Sequence, residues 1–185
     1  MKKIMFVILS AAFLLPVFLG AQEAEKKKKP TYRERLENRV HELVNKERIK
    51  RDLPPFKNSK ALAKIALAHS VDMIKRGFTS HINPDGLGPS DRAKAAGFNI
   101  EKKMNEYRIR VGVGENIFAG QTVEMVNGVK KGYLKNAGSL AEDIVAGWMA
   151  SPPHRKNILD PTYTMAGTGV AVSKKRVVKA TQVFF

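Results

Sequence analysis

Trp148-Met149-Ala150-Ser151-Pro152-Pro153-His154-Arg155-Lys156-Asn157-Ile158-Leu159-Asp160-Pro161 is the stretch on which the reading of the fold turns. A helical segment enters it, two prolines interrupt it, and a histidine follows at once. Proline cannot continue a helix, so a loop carrying His154 is expected after Ala150. A second segment has the same build: Ser80-His81-Ile82-Asn83-Pro84-Asp85-Gly86 follows a helical pattern that stops near Gly77. Between them lies Gly114-Glu115-Asn116-Ile117, a carboxylate inside an otherwise apolar strand pattern. Two loop histidines and a glutamate, if they meet in space, can bind metal or move protons near neutral pH.

Outward from these segments, the first helix is expected over about Thr31 to Lys50, with Leu36, Val40, Leu43 and Val44 on one face. Leu53-Pro54-Pro55 ends that run. A second helix starts near Asn58 or Ser59 and aligns Leu62, Ile65, Ala66, His69 and Met73. A short helix is expected from Ser90, as its cap, to Ala96, with Gly97 closing it. Arg108 to Phe118 reads as a strand. Val123 to Leu134 reads as a hairpin turning at Asn127-Gly128. Ser139-Leu140-Ala141-Glu142 has the spacing of a capping box for a helix that buries Leu140, Ile144, Val145 and Trp148. Two strands, Ala166 to Val172 and Val177 to Phe185, close the chain. This order reads as α+β, with helices packed on an antiparallel sheet.

The N-terminus carries a different signal. Met1-Lys2-Lys3 is basic, Ile4 to Leu19 is apolar apart from Ser10 and Pro16, and Gly20-Ala21 are small. That pattern reads as a secretory signal peptide over residues 1–21, the run being short for a membrane span. No cysteine follows it, so a lipid-modified anchor is not expected. Residues 22–30 read as a charged tether, and residues 31–185 as one domain. The expected location is extracellular or periplasmic.

With no cysteine in the chain, disulfides and thiolate metal sites are excluded, and any metal must take His and carboxylate ligands. The net charge is +16. An exported chain so basic is drawn to anionic partners: phospholipid, wall polymer or acidic glycan. Lys26 to Lys29 and the helix-end group Lys46, Arg48, Lys50 and Arg51 are the expected carriers. Nucleic acid is not an expected partner, because no RNA-binding aromatic motif or zinc-finger pattern is present.

The other candidate residues have plain structural readings. His41-Glu42 starts like a zinc-protease helix motif, but Asn45 stands where the second histidine is required, so His41 reads as a helix-surface residue. His69 reads as a satisfied core histidine that could also line a cavity. Glu142 belongs to the capping box. Arg155 and Asp160 are expected to bridge across the second histidine loop. Glu115 needs a partner to be buried, and Gly114 suggests a close approach of the backbone. Serine-elbow, cysteine-nucleophile and phosphate-loop motifs are lacking.

Taken together, Leu43-Val44-Asn45-Lys46-Glu47-Arg48, His69-Ser70-Val71-Asp72-Met73, Ser80-His81 with Pro84-Asp85-Gly86, Asp91-Arg92 with Ala96-Gly97-Phe98, Gly114 to Ile117, Trp148 to Pro161, Gly167 to Val172 and Thr181-Gln182 resemble the CAP (SCP-like) domain. That domain is shared by cysteine-rich secretory, antigen 5 and pathogenesis-related proteins. The closest resemblance is to the short, cysteine-free bacterial branch. It implies a three-layer α-β-α sandwich, with helices on both sides of a small, mainly antiparallel sheet. It also implies a cleft in which His81, Glu115 and His154 match three members of a two-histidine, two-glutamate set. The fourth carboxylate falls at Ser151 and is missing. His69 is placed in the same ligand cleft.

Three functions remain open. The leading one is a non-enzymatic binding module for an anionic or amphipathic envelope component. The alternative is a metal-dependent hydrolase, with His81 and His154 as ligands to a divalent cation such as zinc and Glu115 as base. The third treats the cluster as a brace between two loops.

Overall fold

A sheet of four strands lies between two helical layers in the computed structural model, which describes residues 29–126 and 129–185. The expected export segment, residues 22–28 of the tether and the Asn127-Gly128 turn lie outside the described residues.

The first layer starts with α1 (Tyr32–Ile49), whose stripe Leu36, Val40 and Val44 is wholly buried. Thr31 caps it and Glu34 returns a bond to the Thr31 N–H. Against α1 pack α4 (Ala137–Ala150) and α5 (Pro152–Leu159). The opposite layer holds α2 (Lys60–Arg76), capped by Ser59 and closed by Gly77 in the left-handed conformation, with α3 (Pro89–Ala95) beside it.

The sheet order is β1-β7-β8-β4. Strands β7 (Met165–Val172), β8 (Val177–Phe184) and β4 (Gly114–Gln121) run antiparallel, and the two-residue β1 (Lys57–Asn58) joins in parallel. Alternation along β7 and β8 sorts the core. Ala166, Val170, Val178, Ala180 and Phe184 face α1 and α4, whereas Val183 faces α2. Two glycines let α2 lie directly on β7. A Cβ at Gly167 would stand 2.1 Å from the Ala63 nitrogen, and one at Gly169 2.0 Å from the Leu67 nitrogen.

Several local expectations are corrected. Ser90 does not cap α3. Pro89 takes the first helical position, Gly88 is the cap residue, and Asp91 accepts from the Gly88 N–H at 3.0 Å. The Ser90 hydroxyl instead accepts from the Val113 N–H. The strand expected over Arg108 to Phe118 is two strands. β3 (Ile109–Val111) pairs with β2 (Glu101–Lys103) as a separate hairpin, and the chain bends at Gly112, φ 106°, before β4. The expected second hairpin is formed by β5 (Val123–Val126) and β6 (Val129–Leu134). Ser139 is not the cap of α4: Asn136 is, accepting from the Ser139 N–H, and Glu142 lies 3.9 Å from Arg39.

The charge expected at the end of α1 is also partly spent. Arg48 is buried, its guanidinium 3.7 Å from the Phe56 ring and bonded to the carbonyls of Pro54, Ile158 and Asp160. Lys50 and Arg51 both pair with Glu47. His41 is half-buried rather than on the surface, 3.2 Å from the Asn45 amide, and burial lowers its pKa. Arg155 donates to the Met149 carbonyl, so it does not bridge to Asp160, which pairs with Arg110.

Candidate functional site

The site grows from β4. Glu115 sits at its second position, opposite Val183 of β8, with its side chain only 2 % exposed. Such burial requires partners. They are side chains rather than backbone N–H groups: Oε2 accepts from Arg92 at 2.6 Å and Oε1 from His81 Nδ1 at 2.8 Å. Gly114 leaves room for the Tyr163 hydroxyl, which a Cβ there would meet at 2.4 Å. The close approach suggested by that glycine is therefore to Tyr163.

Arg92 ties the site together. From α3 its Nη1 donates to the carbonyls of His81 and Leu87, both at 2.7 Å, while its Nη2 holds Glu115. One guanidinium thus anchors the first histidine loop and the carboxylate together. Asn83 stiffens the same loop, accepting from the Asp85 and Leu87 N–H groups. Arg92 carries no expected role in the sequence beyond its place in a matching motif. Its partners lie 5, 11 and 23 residues away, and no local pattern reports them.

His154 is on a helix, not in a loop. The two prolines that end α4 begin α5, where a missing N–H costs nothing and the fixed φ suits the first turn. Asn116 donates to the His154 carbonyl at 3.0 Å, and Asn157 bonds both Asn116 and the Glu115 carbonyl. These amides pin α5 to the edge of β4. They bring the His154 ring edge-on to His81, with centroids 6.5 Å apart. Burial, then the neighbouring His81, lowers the His154 pKa.

His69 lies deeper, 1 % exposed. Its Nε2 donates to the Ser80 carbonyl at 3.0 Å and stands 3.9 Å from Glu115 Oε1. Burial lowers its pKa, against the opposing pull of Glu115. His69 is a core residue and lines a cavity of about 860 Å³ between α2 and α3, but it is not fully satisfied as expected: its buried Nδ1 has no hydrogen-bond partner among the described residues. Arg92 shares that wall; His81 and His154 do not. Ser151 ends α4 and precedes Pro152; among the described residues, no hydrogen bond links its hydroxyl to the cluster.

Chemically, the cluster offers two imidazoles to solvent over a carboxylate already engaged on both oxygens. Among the described residues, no three His, Asp or Glu side chains are arranged to hold a metal ion. His81 and His154 are two nitrogen donors, one short of the three protein ligands usual at a catalytic zinc.

The family model described as the cysteine-rich secretory protein family, CAP, matches residues 41–185. An uncharacterized Bacillus subtilis protein, YkwD, is 33% identical over 137 residues, which are 74% of this chain and 43% of that protein. A crystallised extracellular protein containing an SCP domain from Bacillus anthracis superposes with a TM-score of 0.59 at 25% identity, over 83% of this chain and 41% of that one. An outer surface protein of Borrelia burgdorferi shares the fold with a TM-score of 0.58 at 14% identity, over 78% of this chain and 87% of that one. The chain thus spans less than half the length of the two Bacillus proteins.

Proposed function

Because the chain belongs to the cysteine-rich secretory protein (CAP) family, we propose that it is an exported binding module of the cell envelope whose ligand cleft is formed by His81, Glu115 and His154. Its partner is an anionic or amphipathic envelope component. The observation that carries this reading is the state of Glu115. Arg92 and His81 each bond one of its oxygens and its side chain is only 2 % exposed, so the carboxylate is held as a paired, positioning group shielded from solvent water. Ser151 supplies no replacement. The cleft is better furnished to hold a ligand than to turn one over. The N-terminal pattern of residues 1–21, the net charge of +16 and the extracellular description of the Bacillus anthracis relative support export and an anionic partner.

One observation favours a second reading. His81 gives Nδ1 to Glu115, which is how a carboxylate orients a metal-binding imidazole. A divalent cation such as zinc would then lie between His81 and His154 and supply Lewis acidity. In that case Glu115 would orient His81 and would not act as the base.

The test is sedimentation of the protein with anionic envelope polymer across a salt series. Binding that weakens with salt and falls further in His81→Ala with His154→Ala supports the module. Equal binding by variant and wild type contradicts the cleft assignment.

A further inference from the structure

The hairpin of β2 and β3 has two unlike faces. Antiparallel pairing sets Lys103 opposite Ile109, Lys102 opposite Arg110 and Glu101 opposite Val111. One face grips the body. Lys102 donates to the Thr162 carbonyl at 2.9 Å and lies 5.5 Å from the centre of the Phe185 ring. Arg110 pairs with Asp160 at 3.2 Å and stacks 3.9 Å over Tyr163. The other face is covered by nothing within the described chain: Ile109 and Val111 are each 64% exposed. At the tip, Tyr107 is 88% exposed. It is held there by a built turn, in which the Met104 N–H donates to the Arg108 carbonyl and Asn105 accepts from the Tyr107 N–H.

We propose that this face is a membrane-docking surface, seating Tyr107, Ile109 and Val111 in the interface of an anionic lipid bilayer while Lys103 and Arg108 meet its head groups. The choice of an anionic surface rests on the envelope reading above; the position of the contact does not. Exposed apolar side chains in a row on a rigid arm ask for an apolar partner. Ile109 and Val111 gain nothing from a hydrated polyanion, which leaves a bilayer as the anionic surface with an apolar interior. Tyrosine suits the head-group level, where its ring is buried and its hydroxyl stays wet. Lys103 and Arg108 are exposed beside the row, as are Glu101 and Glu106, in a chain of net charge +16. The grip of Lys102 and Arg110 keeps the arm in place, so seating it orders little that is not already ordered.

The absence of cysteine makes the test direct. Full-length Tyr107→Cys and, as a control, Ile49→Cys on α1 are labelled with an environment-sensitive dye. Each is mixed with phosphatidylcholine vesicles, with and without phosphatidylglycerol. A blue shift at position 107 and none at 49 is expected, only with phosphatidylglycerol. It should fall at least about tenfold in apparent affinity when Lys103→Glu and Arg108→Glu, or Ile109→Ser and Val111→Ser, are added. His81→Ala in the labelled chain should leave it unchanged, whatever becomes of the cleft. Three results overturn the proposal: no shift at 107, a shift that His81→Ala abolishes, or a shift without vesicles that grows with protein concentration. The last would make a second copy of the chain the partner.

Discussion

Arg92 and Glu115 form a buried ion pair that joins α3, β4 and the first histidine loop, with Nη2 2.6 Å from Oε2 and side chains 11% and 2% exposed. Removing the guanidinium leaves the buried carboxylate with its His81 bond but without its cationic partner. Arg92→Leu is therefore expected to cost about 3–5 kcal/mol in urea unfolding, as broken buried pairs do. Adding Glu115→Gln should recover part of that loss. A cost under about 1 kcal/mol would show the pair to be solvated.

Gly167→Ala and Gly169→Ala should each fail to give a folded protein, or lose at least the ~3 kcal/mol at the upper end of ordinary overpacking. The added methyl would meet the backbone of α2, which cannot rotate away. Circular dichroism and thermal melting check this. Gly86→Ala, with nothing within 4 Å of its added carbon, meets no clash, and any loss there comes from its φ of 79°.

Stability should fall on acidification through the histidine range. Burial lowers the pKa of His41, His69 and His154 from the ordinary value of 6.5. The unfolded chain then binds more protons than the folded one just below that value. Stability is complete above about pH 6.5 and is lost as pH falls toward the depressed folded values. Melting temperature measured from pH 7.5 to 5 should show this, and His69→Gln should flatten the slope. An unchanged slope would place the dependence elsewhere.

How much of this was legible in sequence depended on distance along the chain. The helices α1 and α2 read correctly because the apolar stripes, the caps Thr31 and Ser59, and Gly77 all agree locally. Strands β7 and β8 read correctly because alternation and the Ser173 to Arg176 turn agree. The cap of α4 was read at Ser139 from its capping-box spacing, whereas the helix begins three residues earlier, where Asn136 accepts from the Ser139 N–H. Pro152-Pro153 marks a helix start as readily as a stop. The histidines and Glu115 stood out as residue types that need partners. Arg92 did not, because a basic residue on a short helix looks solvated until its three acceptors converge.

Export has its own check. Mass spectrometry of the protein from its native host should find Gln22, or a neighbour, at the N-terminus, because the basic and apolar run ends at Gly20-Ala21. Intact Met1 on cytoplasmic protein would contradict this.

Zinc titration by calorimetry is expected to give weak binding that disappears in His81→Ala with His154→Ala. It should also decline below about pH 6, where free imidazole protonates. Equal uptake by the double variant would mean the two rings are not the ligands.

The central claim is that this cleft binds and does not turn over. The most direct measurement is a hydrolysis screen on peptide, ester and glycan substrates, run beside envelope-polymer binding on the same preparation, with and without zinc. The account predicts no turnover above background, together with binding that weakens as salt screens exposed charge within about 10 Å at 0.1 M and falls in the histidine double variant. A turnover that His81→Ala or Glu115→Gln abolishes, with circular dichroism unchanged, would contradict it and make the cleft an active site.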